Sequence, residues 1–128
     1  MIKFYKYQGA GNDFVMVDNR QGAFKGDKVE WCKQVCDRKY GIGSDGLIFI
    51  ENHAVSNFKM DFYNPDGSQS FCGNGSRCAV AFAKHIGVFN NDKVTFEHPR
   101  RLPSGTKVVF VNGTIVVEVG NLNSSVLG

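Results

Sequence analysis

Residues 71–78 read FCGNGSRC, two thiols enclosing two glycines, an asparagine, a serine and an arginine. From about Ser76 to Ile86, the apolar positions Cys78, Ala79, Phe82, Ala83 and Ile86 share one helical face, with Arg77 and Lys84 opposite. Gly87 suits a left-handed cap just past the end. The motif therefore stands at the entrance of an amphipathic helix, and the elements around that helix decide the fold.

Upstream, Ile2 to Tyr7 and Phe14 to Asp18 read as strands joined by QGAGND, where Gly9 and Gly11 permit a tight turn. Asp27 and Glu30 form a D-x-x-E start signal for a first helix over about 27–39. Val29, Cys32 and Cys36 recur on its apolar face, and Gly41 lies just past its end. LIFIE (47–51) and FKMDFYN (58–64) follow as strands, the second alternating Phe58, Met60 and Phe62 with Lys59, Asp61 and Tyr63. NPDG (64–67) spells a type I turn.

Downstream, KVTFEH, TKVVFV and TIVVEV read as strands, the last two joined by Asn112-Gly113, a strong hairpin signal. HPRRLPSG (98–105), with two of the three prolines, reads as a loop. Two helices among about eight strands predict an α+β fold. With 128 residues the chain is expected to be one domain, 1–128, closing one core.

Hydrophobic residues make up 42% and charged residues 21%, ordinary globular usage. A net charge of +3, with basic residues scattered among acidic ones, argues against nucleic acid as a partner. No window approaches a membrane-spanning length, and the N-terminal segment lacks the apolar run of a signal peptide. A cytoplasmic location is expected, without membrane association.

Four cysteines in such a compartment are expected to stay reduced. Neither they nor His53, His85 and His98 show paired zinc spacing, so no metal is expected. Cys72 precedes the second helix, and Gly73, Asn74 and Gly75 allow the backbone to aim amide groups at one point, an anion site. A helix N-terminus also favours thiolate over thiol, whereas an unshifted cysteine is only a few per cent ionised at neutral pH. Cys78 falls on the apolar face and reads as packing.

The bland reading of CGNGS is a helix-entry turn capped by asparagine, and local features fit it about as well as a functional loop. GAGNDF (9–14) and YGIGSDG (40–46) face the same choice. Three glycine-rich loops in one short chain shift the balance toward a site.

In this order and at these separations, GAGNDF, GIGSDG, FYNPDGS and CGNGSRC resemble the N-terminal half of diaminopimelate epimerases, over about residues 2–97. That resemblance implies a mixed, mostly antiparallel sheet wrapped around a central helix. It also implies a cofactor-independent isomerase that interconverts LL- and meso-diaminopimelate, with two cysteines as acid and base on opposite faces of the α-carbon. By the same resemblance Cys72 is the first of these thiols, Gly73 and Asn74 hold the substrate's carboxylate, and Asn12 and Asn64 bind its far end.

Inversion needs a base on one face and an acid on the other, since one residue tends to return the proton where it found it. Three departures qualify the resemblance. Some family members carry glutamine at the position of Gly46, HPRRLPSG replaces a shorter turn, and no second glycine-flanked cysteine motif occurs among the 128 residues. Cys32 and Cys36 read as core packing.

The chain alone is therefore not expected to complete an efficient inversion. It reads as an epimerase half that lacks independent activity without a second half, as a homodimer pairing two copies of Cys72, or as a non-catalytic binding module. A proline racemase relative of the same fold is a further alternative.

Overall fold

The computed structural model describes residues 2–9, 11–70, 72–90, 93–97, 106–111 and 114–119. These form seven strands and two helices in the order β1 Tyr5–Gly9, β2 Asn12–Asp18, α1 Lys28–Cys36, β3 Leu47–Glu51, β4 Phe58–Tyr63, α2 Gly73–His85, β5 Lys93–Glu97, β6 Thr106–Val111 and β7 Thr114–Val119. The expectation of about eight strands thus becomes seven among the described residues. HPRRLPSG and Asn112-Gly113 lie outside them.

All seven strands join one sheet in sequence order. β2–β3 and β4–β5 are parallel, and the other four pairs are antiparallel. Each parallel pair needs a crossover, and α1 and α2 supply them. The two crossovers step the same way along the sheet, but β3 and β4 are antiparallel, so the second leaves from a strand running the opposite way. Crossovers of one hand then place their helices on opposite faces.

The buried clusters follow that division. Phe14, Met16, Ile48, Ile50, Met60 and Phe62 pack with Cys78, Ala79, Phe82 and Ala83 of α2. Val15, Val17, Leu47 and Phe49, the alternate residues of the same strands, pack with Cys32, Val35 and Cys36 of α1. The period-2 alternation of β2 and β3 therefore feeds two cores at once, which is why LIFIE is apolar throughout.

Local signals act as expected at several ends. The Asp27 carboxylate accepts the Glu30 amide at 3.1 Å, capping α1. At Gly87, with φ +84, α2 closes through Gly87 N–H to Lys84 O (3.1 Å) and Val88 N–H to Ala83 O (2.9 Å), a Schellman pair. Val29 is the exception on α1, since it is exposed and Val35 takes the buried position. No helix among the described residues is long and apolar enough to cross a membrane.

Candidate active site

α2 begins at Gly73, three residues before the sequence pattern registers, and Cys72 is its N-cap, with extended backbone at φ −134 and ψ 114. The half-buried Cys72 Sγ accepts the Gly75 N–H at 3.3 Å. Ser76, fully buried, donates both its N–H and its hydroxyl to Cys72 O at 2.9 Å. The helix entry therefore holds the cysteine from both its side chain and its carbonyl. Sequence patterning places the start late because Gly73 and Gly75 are poor helix formers and sulfur is not among the usual caps.

Asn74 does not cap the helix as the bland reading supposes. Its side-chain amide donates to Asn12 Oδ1 at 2.8 Å, tying the GAGNDF turn to the α2 entrance. Asn12, at an even position of β2, faces α2 as Phe14 and Met16 do. A side chain at Gly73 would meet nothing within 4 Å, so that glycine is not required by internal packing and leaves the entrance uncovered.

Asn64 begins the NPDG turn, closed by Gly67 N–H to Asn64 O at 2.8 Å with Gly67 at φ +88. Its side-chain amide is spent inside its own loop, on Ser68 O (3.3 Å), Ser68 Oγ (3.2 Å) and Ser70 Oγ (2.9 Å). The structure thus joins Asn12 and Asn74 directly, while the hydrogen bonds described for Asn64 are to other partners.

A charged cluster that sequence reading missed lies behind Asn12. Arg38 donates to Asp13 at 2.7 and 3.1 Å and to Asp45 at 3.1 Å, and Lys6 donates to Asp13 at 2.8 Å. Asp45 Oδ2 in turn accepts from Asn12 Nδ2 and from the Asp13 amide, each at 3.1 Å. Hydrogen bonding from Arg38, aided by Lys6 and opposed by partial burial, holds the Asp13 carboxyl well below the usual carboxylate range. The signal was present in YGIGSDG, whose aspartate has no helix or turn role of its own.

All four cysteines are free thiols. Cys78 is 4% exposed within the α2 core, and burial pushes its thiol up. Cys32 and Cys36 are buried on α1 with their sulfurs 3.8 Å apart. Cys32 donates to Asn64 O at 3.1 Å and Cys36 accepts the Ser44 hydroxyl at 3.2 Å, so this pair also anchors the NPDG turn and the YGIGSDG loop. The sulfur contact with Cys32 and then the Ser44 hydroxyl, against burial, draw Cys36 down to about 7. The contact with Cys36, together with burial, pushes Cys32 far above the usual thiol range.

Gly46 has no space for a larger residue. A Cβ there would lie 2.5 Å from Phe62 Cε1, 3.1 Å from Tyr63 O and 3.2 Å from Phe14 Cδ1. Among the described residues no group of three or more metal-ligating side chains converges.

The α+β architecture is shared with methylitaconate-delta-isomerase, at a TM-score of 0.67 over 98% of this chain and 40% of that one, and 12% identity. A Bacillus anthracis phenazine biosynthesis protein of the PhzF family gives a TM-score of 0.57 over 91% of this chain and 38% of that one, at 14% identity. At those identities the likeness defines the fold class alone.

Sequence relatives are more specific. The diaminopimelate epimerase family pattern matches residues 4–124. Diaminopimelate epimerase of Flavobacterium psychrophilum is 53% identical over 96 residues, which is 74% of this chain and 37% of that protein. The Aquifex aeolicus protein of the same name is 43% identical over 106 residues, 75% and 38% of the two chains. The chain belongs to the diaminopimelate epimerase family, and the matched region spans less than two fifths of the length of these relatives.

Proposed function

We propose that this chain is a single domain, 1–128, that supplies one half of a diaminopimelate epimerase site, with the sheet wrapped around α2. Cys72 takes or returns the α-proton on one face of the substrate. Gly73 and Asn74 receive the α-carboxylate at the helix entrance, where backbone N–H groups and the helix dipole favour an anion. As the proton leaves, negative charge spreads from the α-carbon toward that carboxylate, so the same amides bind the carbanion more tightly than the ground state. Asn12 and Asn64 orient the far end, Asn64 through its side-chain carbonyl, which none of the described hydrogen bonds uses, fixing which face of the α-carbon meets the sulfur. No cofactor is required for this proton transfer.

The observation that carries the reading is the N-cap position of Cys72, its sulfur bound by the Gly75 amide at 3.3 Å beside an Asn74 amide already fixed by Asn12. A hydrogen bond to sulfur strengthens as charge develops there, which suits a group that cycles between thiol and thiolate. The second thiol comes from outside these 128 residues, either from a second half or from Cys72 of a second copy across a two-fold axis. The expected setting is the cytoplasm, with a small amino acid as the only other partner.

The test is incubation with LL-diaminopimelate in heavy water under reducing conditions, following the α-hydrogen. A single thiol that trades its proton with solvent gives deuterium exchange with retention, and a paired thiol gives exchange with inversion to the meso isomer. Absence of any exchange at high protein concentration overturns the paired-copy form and leaves a half that works only with a separate second half. Retention alone rules out the paired-copy form.

A further inference from the structure

We infer that Asp45, held by Arg38, is a positioning residue that sets the direction of the Asn12 amide and, through it, that of Asn74 at the α2 entrance. The argument begins with donor and acceptor types. An ionised carboxylate only accepts, so Asp45 Oδ2, 3.1 Å from Asn12 Nδ2, requires the NH2 side of Asn12 to face it. The Asn12 carbonyl is thereby turned toward Asn74, whose own NH2 must face Asn12 at 2.8 Å. Among the described hydrogen bonds, Asn74 Oδ1 and its second N–H are left for another partner.

A side-chain amide with no charged neighbour has two nearly isosteric orientations. Here one of them sets the Asn12 carbonyl against a carboxylate and is excluded by repulsion. Asp45 is itself pinned: Arg38 binds its Oδ1 at 3.1 Å, and its backbone N–H donates to Asp13 O at 2.9 Å and to Asp13 Oδ1 at 3.1 Å. The direction set at GIGSDG thus passes through the GAGNDF turn to CGNGS, and Asp45 makes none of the described contacts with Asn74. What Asn74 presents to a substrate rests on the epimerase reading above, whereas its orientation does not.

The experiment follows side-chain N–H exchange with solvent by nitrogen-15 NMR in the full 128-residue chain without ligand. In Asp45→Ala, exchange at both Asn12 and Asn74 is expected to rise roughly five- to tenfold, the effect of losing one hydrogen bond and the order it imposes. Asp45→Asn keeps one acceptor oxygen and recovers part of the protection. Unchanged exchange at Asn74 in folded Asp45→Ala overturns the inference. If that variant does not fold, Arg38→Ala, at an exposed side chain, decides it, with a smaller rise expected and no rise overturning it. Titration with meso-diaminopimelate is read separately. A wild-type chain that fails to bind sinks the epimerase reading, while the ligand-free exchange still judges the positioning.

Discussion

Gly75 donates its backbone N–H to Cys72 Sγ across 3.3 Å, so the proposed reactive thiol is also the cap of the helix it precedes. Chemistry and stability therefore meet in one atom, and substitutions separate them. Cys72→Ser retains a good cap and is expected to leave the urea midpoint within error, while lowering α-hydrogen exchange at least ~100-fold, the scale of a lost proton-transfer group. Cys72→Ala loses both, destabilising by about 0.5–1 kcal/mol. A Cys72→Ser chain that unfolds instead shows that the thiol acts in packing.

Gly46→Gln restores the residue found in some family members, and here it is expected to destabilise. Its Cβ would lie 2.5 Å from Phe62 Cε1, and Phe62 and Phe14 are both fully buried. Forcing those rings aside costs about 1–3 kcal/mol, readable as a drop in thermal midpoint. An unchanged midpoint means that the α2-side core repacks without strain.

What could be read in advance follows the range of the interaction. The Asp27 cap, the Gly87 stop, the LIFIE strand and the alternation of β4 are local patterns with one physical cause each, and they sit where the sequence places them. The proposed site residues Asn12 and Asn74 were named through motifs. Their direct contact was not, because a hydrogen bond between residues 62 apart leaves no periodicity. Arg38, Asp13 and Asp45 were missed for the same reason, as was the exposure of Val29, whose helix has only a narrow buried stripe.

The Cys32–Cys36 pair predicts a stability maximum at mildly alkaline pH. In the folded chain Cys36 titrates near about 7, below the about 8.5 of an unfolded thiol. Between those values the unfolded state binds more protons, so stability rises with pH across the window and is lost as pH falls through about 7. Cys32 is raised instead, so above about 8.5 the unfolded state ionises a thiol that the folded state keeps neutral, and stability falls again. Urea midpoints from pH 6 to 10 under reducing conditions should trace a maximum at about pH 8.5, where the unfolded thiols are half ionised. Ser44→Ala, which removes the 3.2 Å donor to Cys36, should flatten its acid side, and a flat profile in the wild-type chain contradicts the assignment.

Lys28 ties α1 to the sheet below the NPDG turn, donating to Glu51 at 2.6 Å and to Asp61 at 2.8 Å. Asp61 is 6% exposed and also accepts from Gln69 and Tyr63, while Gln69 reaches back to Phe62 O. Removing Lys28 leaves two carboxylates facing each other without their cation. Breaking a fully buried pair costs 3–5 kcal/mol, but Lys28 and Glu51 keep part of their surface in water, so Lys28→Met is expected to cost about 2 kcal/mol. Adding Asp61→Asn should recover part of that loss, since the amide oxygen still accepts and the buried charge is gone. The segment from Asn64 to Ser70 leads into Cys72, so backbone hydrogen exchange there should quicken in Lys28→Met before the α2 core opens. A Lys28→Met chain as stable as wild type, with that segment equally protected, shows that Gln69 and Tyr63 hold Asp61 without the lysine.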